Sequence, residues 1–372
     1  MTTKTNQSLK LLHIPTSGVN EGGITRFILR SLEALKQPQN MEIWVLSPFE
    51  IKPSLKERFQ AAGFQIKVLE GRKRNPLVYV AKLLAWLKQE KFDQVHVHGS
   101  SALMSLELVS ARLAGIPIRI AHSHNITCDH QRLHRILNPI FQPAYTQALA
   151  CSQAAGEWLF NETDFQVVYN GLDLNQFAFS QAKRDQLRQE LGLAPEAILL
   201  GHVGHFNQQK NHRFLLQLFK AVLARKPQSR LLLIGSGSLE PEMQQLAQEL
   251  EIHDKIFFKG NQSNVQDWYS AMDVFVLPSL YEGFSIVLAE AQANGLYCLT
   301  SNQTPKTVAV TSRVHFLSLE EGVADWVFEL EKLPQARLPL EDAERAALAV
   351  FDQETIAEEL QALYLRLAQE NK

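Results

Sequence analysis

Cysteine is scarce in this 372-residue chain, which has only Cys128, Cys151 and Cys298. They lie far apart, are odd in number and lack metal-site spacing, which argues against a disulfide framework and fits a reducing compartment. Long apolar runs are missing too: none approaches the ~20 residues that a bilayer-crossing helix needs, and the opening MTTKTNQSLK has no apolar segment of the signal-peptide kind. The expectation is a cytoplasmic protein. Excess charge is absent, since 37 Lys and Arg stand against 39 Asp and Glu for a net −2, so no global basic field recruits nucleic acid. Internal repeats and low-complexity tracts are also lacking. What remains, 45% hydrophobic and 20% charged, describes a soluble globular chain long enough for two ordinary domains.

Both halves alternate short apolar runs with amphipathic ones, the plan of a parallel α/β protein. In the first half, LKLLHIP (Leu9 to Pro15) reads as a strand, TSGVNEGG as a glycine-bearing loop, and ITRFILRSLEAL as a helix. That order is how nucleotide-binding domains present backbone amides to phosphate, although the Gly22-Gly23 pair alone equally suits a simple turn. Met41 to Ser47 and Phe64 to Glu70 read as further strands. GRKRNP, Gly71 to Pro76, then concentrates Arg72, Lys73 and Arg74 ahead of a helix from Leu77 to Lys91 with Leu77, Val80, Ala81, Leu84 and Leu87 on one face. These three cations read either as a solvated loop or as a patch that meets anionic lipid or a pyrophosphate-linked acceptor.

DQVHVHGSS and PIRIAHSHN follow, strands that carry His96 and His98, then His122 and His124. The paired histidines invite a zinc reading, but no acid or cysteine lies at ligand spacing, so no metal is expected. Parallel strands end at the ligand crevice, where imidazoles would face substrate. In the second half, AILLGHVGHFNQQKN is a strand and loop that leave Lys210 at the head of a helix, within reach of a diphosphate as a point charge.

The densest signal is PSLYEGFSIVLAEAQANG, Pro278 to Gly295. An apolar strand precedes it, and a helix opens near Phe284 and stops at Asn294-Gly295. Unpaired amides at the helix start attract an anion, and Glu282 stands beside them. At the helical rise the eight residues from Glu282 to Glu290 would span roughly 12 Å, about the length from sugar to ribose in a nucleotide-diphosphate sugar. Without further support, both acids could equally be solvated surface groups.

Glu-Gly-Phe-Ser-x-x-x-x-Glu after a strand ending in Pro-Ser resembles the donor-sugar motif of retaining glycosyltransferase family 4. The resemblance implies the GT-B fold: two Rossmann-like α/β domains facing across a cleft, here 1–177 on the acceptor side and 178–350 on the nucleotide-sugar side, with a C-terminal helix, 351–372, crossing back to the first. The segment Val-x-Asn-Gly-x-Asp-x-x-x-Phe ending at Phe177 resembles the family's interdomain stretch. Carried over residue by residue, the resemblance implies that Glu282 contacts the transferred sugar, Glu290 the ribose, and Gly283, Phe284 and Ser285 the phosphates and sugar. Gly22 and Gly23 approach the diphosphate, His124 the sugar, and Gln262 the base. Val-Gly-x-Phe-x-x-x-Lys-Asn matches at Lys210, but His205 stands where the family usually has arginine, so part of the phosphate clamp is missing.

The implied activity is a metal-independent, retaining hexosyl transfer from a UDP-sugar to a hydroxyl of a polysaccharide or lipid-linked acceptor, of the capsular or exopolysaccharide kind. It needs no cofactor beyond the donor, and it would operate at the inner face of the membrane. The absence of an Asp-x-Asp triplet agrees with a site whose positive groups replace a divalent ion. Two other readings are open: a non-catalytic partner subunit of another transferase, for which His205 argues, and a nucleotide-sugar epimerase.

Overall fold

The computed structural model describes residues 8–35, 40–161, 164–334 and 337–371. The chain divides into two compact units, Met1–Gly171 with Gln353–Lys372, and Leu172–Asp352. The first division therefore falls after Gly171 and not after Phe177. Phe177 belongs to the second unit because its ring is buried beside Tyr269 and its carbonyl accepts a hydrogen bond from Asn294 Nδ2 at 2.7 Å. The second division falls after Asp352, two residues beyond the expected 350, since Leu172 N–H bonds Phe351 O at 2.7 Å.

The first unit is built on one parallel sheet. Its strands are β1 (Leu9–Pro15), β2 (Met41–Ser47), β3 (Gln65–Val68), β4 (Gln94–Gly99), β5 (Ile118–Ser123), β6 (Gln147–Ala150) and β7 (Gln166–Val167), in the order β3-β2-β1-β4-β5-β6-β7. Strands covered by helices on both faces are apolar along their length, which is why LKLLHIP and MEIWVLS form strands with the bounds read from sequence. The last helix, Gln353–Glu370, belongs to this unit. Its Ile356, Leu360, Leu363 and Tyr364 share a buried cluster with Phe27, Ile28 and Leu32 of helix Gly23–Glu33 and with Leu11, Ile43 and Val45 of the sheet.

The second unit repeats the plan with β8 (Leu199–Val203), β9 (Arg230–Ile234), β10 (Ile256–Phe258), β11 (Val274–Leu277), β12 (Tyr297–Ser301) and β13 (Val314–Leu317), ordered β10-β9-β8-β11-β12-β13 and parallel throughout. The strand VHFL is only half-buried along its length, which explains why its pattern is weak in sequence. Each sheet reverses its direction of growth once, between β1 and β4 and between β8 and β11. Loops leaving those strands diverge to opposite faces and open a crevice at the strand ends, the place where α/β sheets bind ligands.

Two expectations in the first unit need correction. Helix Pro76–Glu90 buries Tyr79, Leu83, Trp86 and Leu87, whereas Leu77 is 81% exposed and Ala81 is also exposed. The stripe anticipated from Leu77 is displaced because the bulky Tyr79 and Trp86 take the core-facing positions. Arg72 is likewise no surface cation: its side chain is only 8% exposed, and its Nε donates to Glu107 Oε1 at 2.7 Å and its Nη2 to Leu103 O at 3.0 Å. Of the three clustered charges, only Lys73 and Arg74 face solvent.

Candidate active site

At the switch point of the second unit, the loops after β8 and β11 meet. Leu280 N–H bonds Gln209 O at 2.8 Å, and Gln209 Nε2 donates to Tyr281 O at 2.9 Å, so the two loops are laced together by backbone and amide. This brings Lys210 against Glu282: Lys210 Nζ donates to Glu282 Oε1 at 2.6 Å. Ser279 Oγ donates to the same oxygen at 2.7 Å, and Gln209 Nε2 reaches Oε2 at 3.4 Å. Glu282 is only 5% exposed. A buried carboxylate is tolerated where it is paired and hydrogen-bonded, and this one has both kinds of partner.

Helix Ile286–Ala293 follows, with Ser285 at its N-cap, and ends at Asn294 and Gly295. Its start lies two residues beyond the expected Phe284. Only the stretch from Ile286 to Glu290 is helical, rising about 6 Å, so the ~12 Å span derived from helical rise across all eight residues does not apply. Gly283, Phe284 and Ser285 are buried in the loop, and Ser285 Oγ has no hydrogen-bond partner among the described residues. Glu290 is buried, and Tyr269 Oη donates to its Oε2 at 2.8 Å. Burial and the neighbouring carboxylate push the Tyr269 hydroxyl well above its usual range, so it remains a donor.

The loops after β8 and β9 touch through backbone. Gly204 N–H bonds Ile234 O at 2.9 Å and Phe206 N–H bonds Ser236 O at 3.1 Å. Gly235, at φ +134°, is required here, because a Cβ would stand 2.0 Å from Gly204 O. His205 is exposed at the tip of this turn. Behind it His202 and His212 are buried with ring centroids 4.7 Å apart; burial lowers their pKa to about 4 and about 2. Gln262 lies after β10, its amide donating to Lys259 O at 2.6 Å.

In the first unit, Gly22 caps helix Gly23–Glu33 directly after the β1 loop, and its N–H bonds Asn20 Oδ1 at 2.7 Å. His124 follows β5 and joins four other histidines on one face of the sheet. Burial holds His13 and His124 down to about 3, and His96, His98 and His122 well below their ordinary value, so all five are neutral imidazoles at pH 7. Sequence reasoning missed His13 as a member of this cluster. It also missed Ser279, Gln209 and Tyr269 as the groups that hold the two acids. Ser279 was legible as the end of the Pro-Ser strand, whereas Tyr269 is 21 positions from Glu290 and gave no local signal.

Fold and site together define a GT-B glycosyltransferase. The family description "Glycosyl transferases group 1" matches residues 183–333, and "Glycosyltransferase Family 4" matches residues 21–176. A Bacillus subtilis protein described as putative glycosyltransferase EpsF is 30% identical over 91% of this chain and 91% of its own. An Escherichia coli UDP-Gal:α-D-GlcNAc-diphosphoundecaprenol α-1,3-galactosyltransferase is 29% identical over 58% of this chain and 59% of its own. Among solved structures, Anabaena Alr3699/HepE in complex with UDP superposes with a TM-score of 0.78 at 18% identity, covering 95% of this chain and 99% of that one, and the same protein was solved with UDP-glucose. The chain belongs to glycosyltransferase family 4.

Proposed function

We propose that this glycosyltransferase moves a hexose from a UDP-sugar to a hydroxyl of a lipid-linked or polysaccharide acceptor, with retention at the anomeric carbon and without a metal ion. The observation that carries the reading is the part-buried Lys210–Glu282 pair after β11, beside a helix start. Negative charge develops on the departing diphosphate, so catalysis needs positive groups already in position. Lys210 and the amides of Gly283 to Ser285 supply them. Once Lys210 turns to phosphate, Glu282 is free to accept hydrogen bonds from sugar hydroxyls, still oriented by Ser279 and Gln209. Glu290, fixed by Tyr269, binds the ribose, and Gln262 serves the base. Gly22 and Gly23 act toward the diphosphate and His124 toward the sugar. A galactosyltransferase relative named for UDP-Gal and for a lipid diphosphate supports the choice of donor and acceptor.

No helix among the described residues is long and apolar enough to cross a membrane. Contact with an anionic bilayer is proposed instead through helix Gln131–Phe141 and the start of helix Pro76–Glu90. The first exposes Leu133, Ile136 and Ile140 beside Arg132 and Arg135 and contains no acidic residue; the second exposes Leu77 and Val78 next to Lys73 and Arg74. Apolar side chains interleaved with cations match an anionic interface.

The test is UDP release with a panel of donors and a lipid-diphosphate sugar acceptor, followed by NMR of the product's anomeric configuration. Glu282→Gln should reduce turnover by about 100-fold or more. Undiminished turnover in that variant, or an inverted product, refutes the mechanism. Sugar isomerised without acceptor identifies an epimerase, and no turnover with any donor favours a non-catalytic subunit.

A further inference from the structure

Five imidazoles share one face of the first sheet: His13 on β1, His96 and His98 on β4, His122 on β5 and His124 just after it. Alternation along a strand puts residues two apart on the same face, and parallel register sets His13 beside His96 and His98 beside His122. The rings form two hydrogen-bonded chains. In one, Tyr364 Oη meets His96 Nδ1 at 2.8 Å and His96 Nε2 meets His122 Nδ1 at 3.2 Å. In the other, His13 Nδ1 meets His98 Nε2 at 2.9 Å and His98 Nδ1 meets His124 Nε2 at 3.0 Å. His122 is fully buried, yet its Nε2 has no partner among the described residues.

We propose that His98, His122 and His124 form a binding site for a late first-row divalent ion, with Zn²⁺ the best fit and a water or anion in the fourth position. One nitrogen from each of the three lies within 4.8 Å of the others. Zinc–nitrogen bonds of about 2.0–2.1 Å at tetrahedral angles hold ligand nitrogens roughly 3.3 Å apart. The ion therefore replaces the proton shared by His98 Nδ1 and His124 Nε2 with a small opening of that pair, and the unpartnered His122 Nε2 supplies the third bond. A metal-bound imidazole characteristically donates its other N–H to an outer partner, which fixes its tautomer. Both buried ligands have that partner: His122 Nδ1 faces His96 Nε2, and His98 Nε2 faces His13 Nδ1. His124, less buried than the rest, leaves the fourth position a way to solvent.

A second triad, His13, His96 and His98, has the same spacing, but all three rings are enclosed and both nitrogens of His96 are already taken up by Tyr364 and His122. An all-imidazole donor set selects Zn²⁺, Cu²⁺ or Ni²⁺ and not Mg²⁺ or Ca²⁺. Binding stands apart from the transfer reading. Its consequence rests on it, since an ion on His124 removes that imidazole from the sugar and inhibits turnover.

The experiment is calorimetric titration of the full, EDTA-treated chain with ZnCl₂ and separately with MgCl₂, and Co²⁺ titration followed by visible absorption. Expected are one Zn²⁺ per chain at micromolar concentration or below, the intense absorption of four-coordinate Co²⁺, and no Mg²⁺ binding. His122→Asn and His124→Gln should each weaken Zn²⁺ at least tenfold. If His122→Asn fails to fold, His124→Gln decides, because its site is the least enclosed. No stoichiometric Zn²⁺, equal binding of Mg²⁺, or unchanged affinity in a folded variant overturns the site. Zn²⁺ that binds as expected but leaves UDP release unaltered retains the site and overturns the inhibitory role.

Discussion

Each unit is built on its own parallel sheet, with corresponding order over six strands and the same kind of switch point, yet the two place opposite chemistry there. The second unit sets a lysine, a carboxylate and a helix start at the ends of β8 and β11. The first sets a glycine loop after β1 and neutral imidazoles along β4 and β5. A charged diphosphate needs fixed positive groups, whereas a neutral polyol needs donors and acceptors that carry no charge. The scaffold supplies position and the side chains at the reversal supply selectivity, which is why a fold alone does not name a substrate.

The largest effects test whether charge at the second unit's switch point differs in kind from charge elsewhere in that unit. Arg313 and Glu344 form a buried pair at 2.8 Å, and Arg313 also donates to the carbonyls of Gly295, Leu338 and Pro339. Arg313→Met leaves Glu344 without its cation and should cost about 3–5 kcal/mol of stability in denaturant titrations, while the folded fraction turns over normally. Lys210→Met should instead lower UDP release by about 100- to 1,000-fold. Equal losses of turnover in both variants would erase the distinction.

An intermediate effect concerns the histidines behind the β8 loop. His212 keeps a pKa of about 2 in the fold against an ordinary 6.5, because burial disfavours its charged form. The unfolded chain therefore takes up a proton that the folded chain refuses, so this stability is fully present above pH 6.5 and is lost as pH falls below it. Between pH values of about 7.5 and 5.5, His212→Phe should reduce the acid-induced loss of stability by about 1.4 kcal/mol. An unchanged slope would show that His212 does not stay neutral. The smallest effect is at the exposed His205. His205→Arg restores a second cation beside Lys210 and should lower the donor KM roughly 3- to 10-fold with little change in kcat, as expected for about 1 kcal/mol of charge-assisted binding. A raised KM would place His205 away from the phosphates.

Strands were legible where an apolar run is buried on both faces, as at Leu9–Pro15 and Met41–Ser47. Edge strand β13 and the exposed start of helix Pro76–Glu90 were not, because half-buried elements mix their pattern with solvent-facing residues. Both acids, Lys210 and His124 could be picked out in sequence. The partners that fix them could not, since hydrogen bonds such as Tyr269 to Glu290 join separate elements.

Local pattern, then, determined the alternating α/β plan, the helix after Glu282 with its stop at Asn294-Gly295, and the family. Only the tertiary structure decided that Arg72 is buried against Glu107 and that Phe177 belongs to the second unit. It also decided that Lys210 neutralises Glu282 and that five histidines converge on one sheet face. Periodicity along the chain reports which way a side chain faces. What it meets there is set by strand register and helix packing, which join residues far apart in sequence.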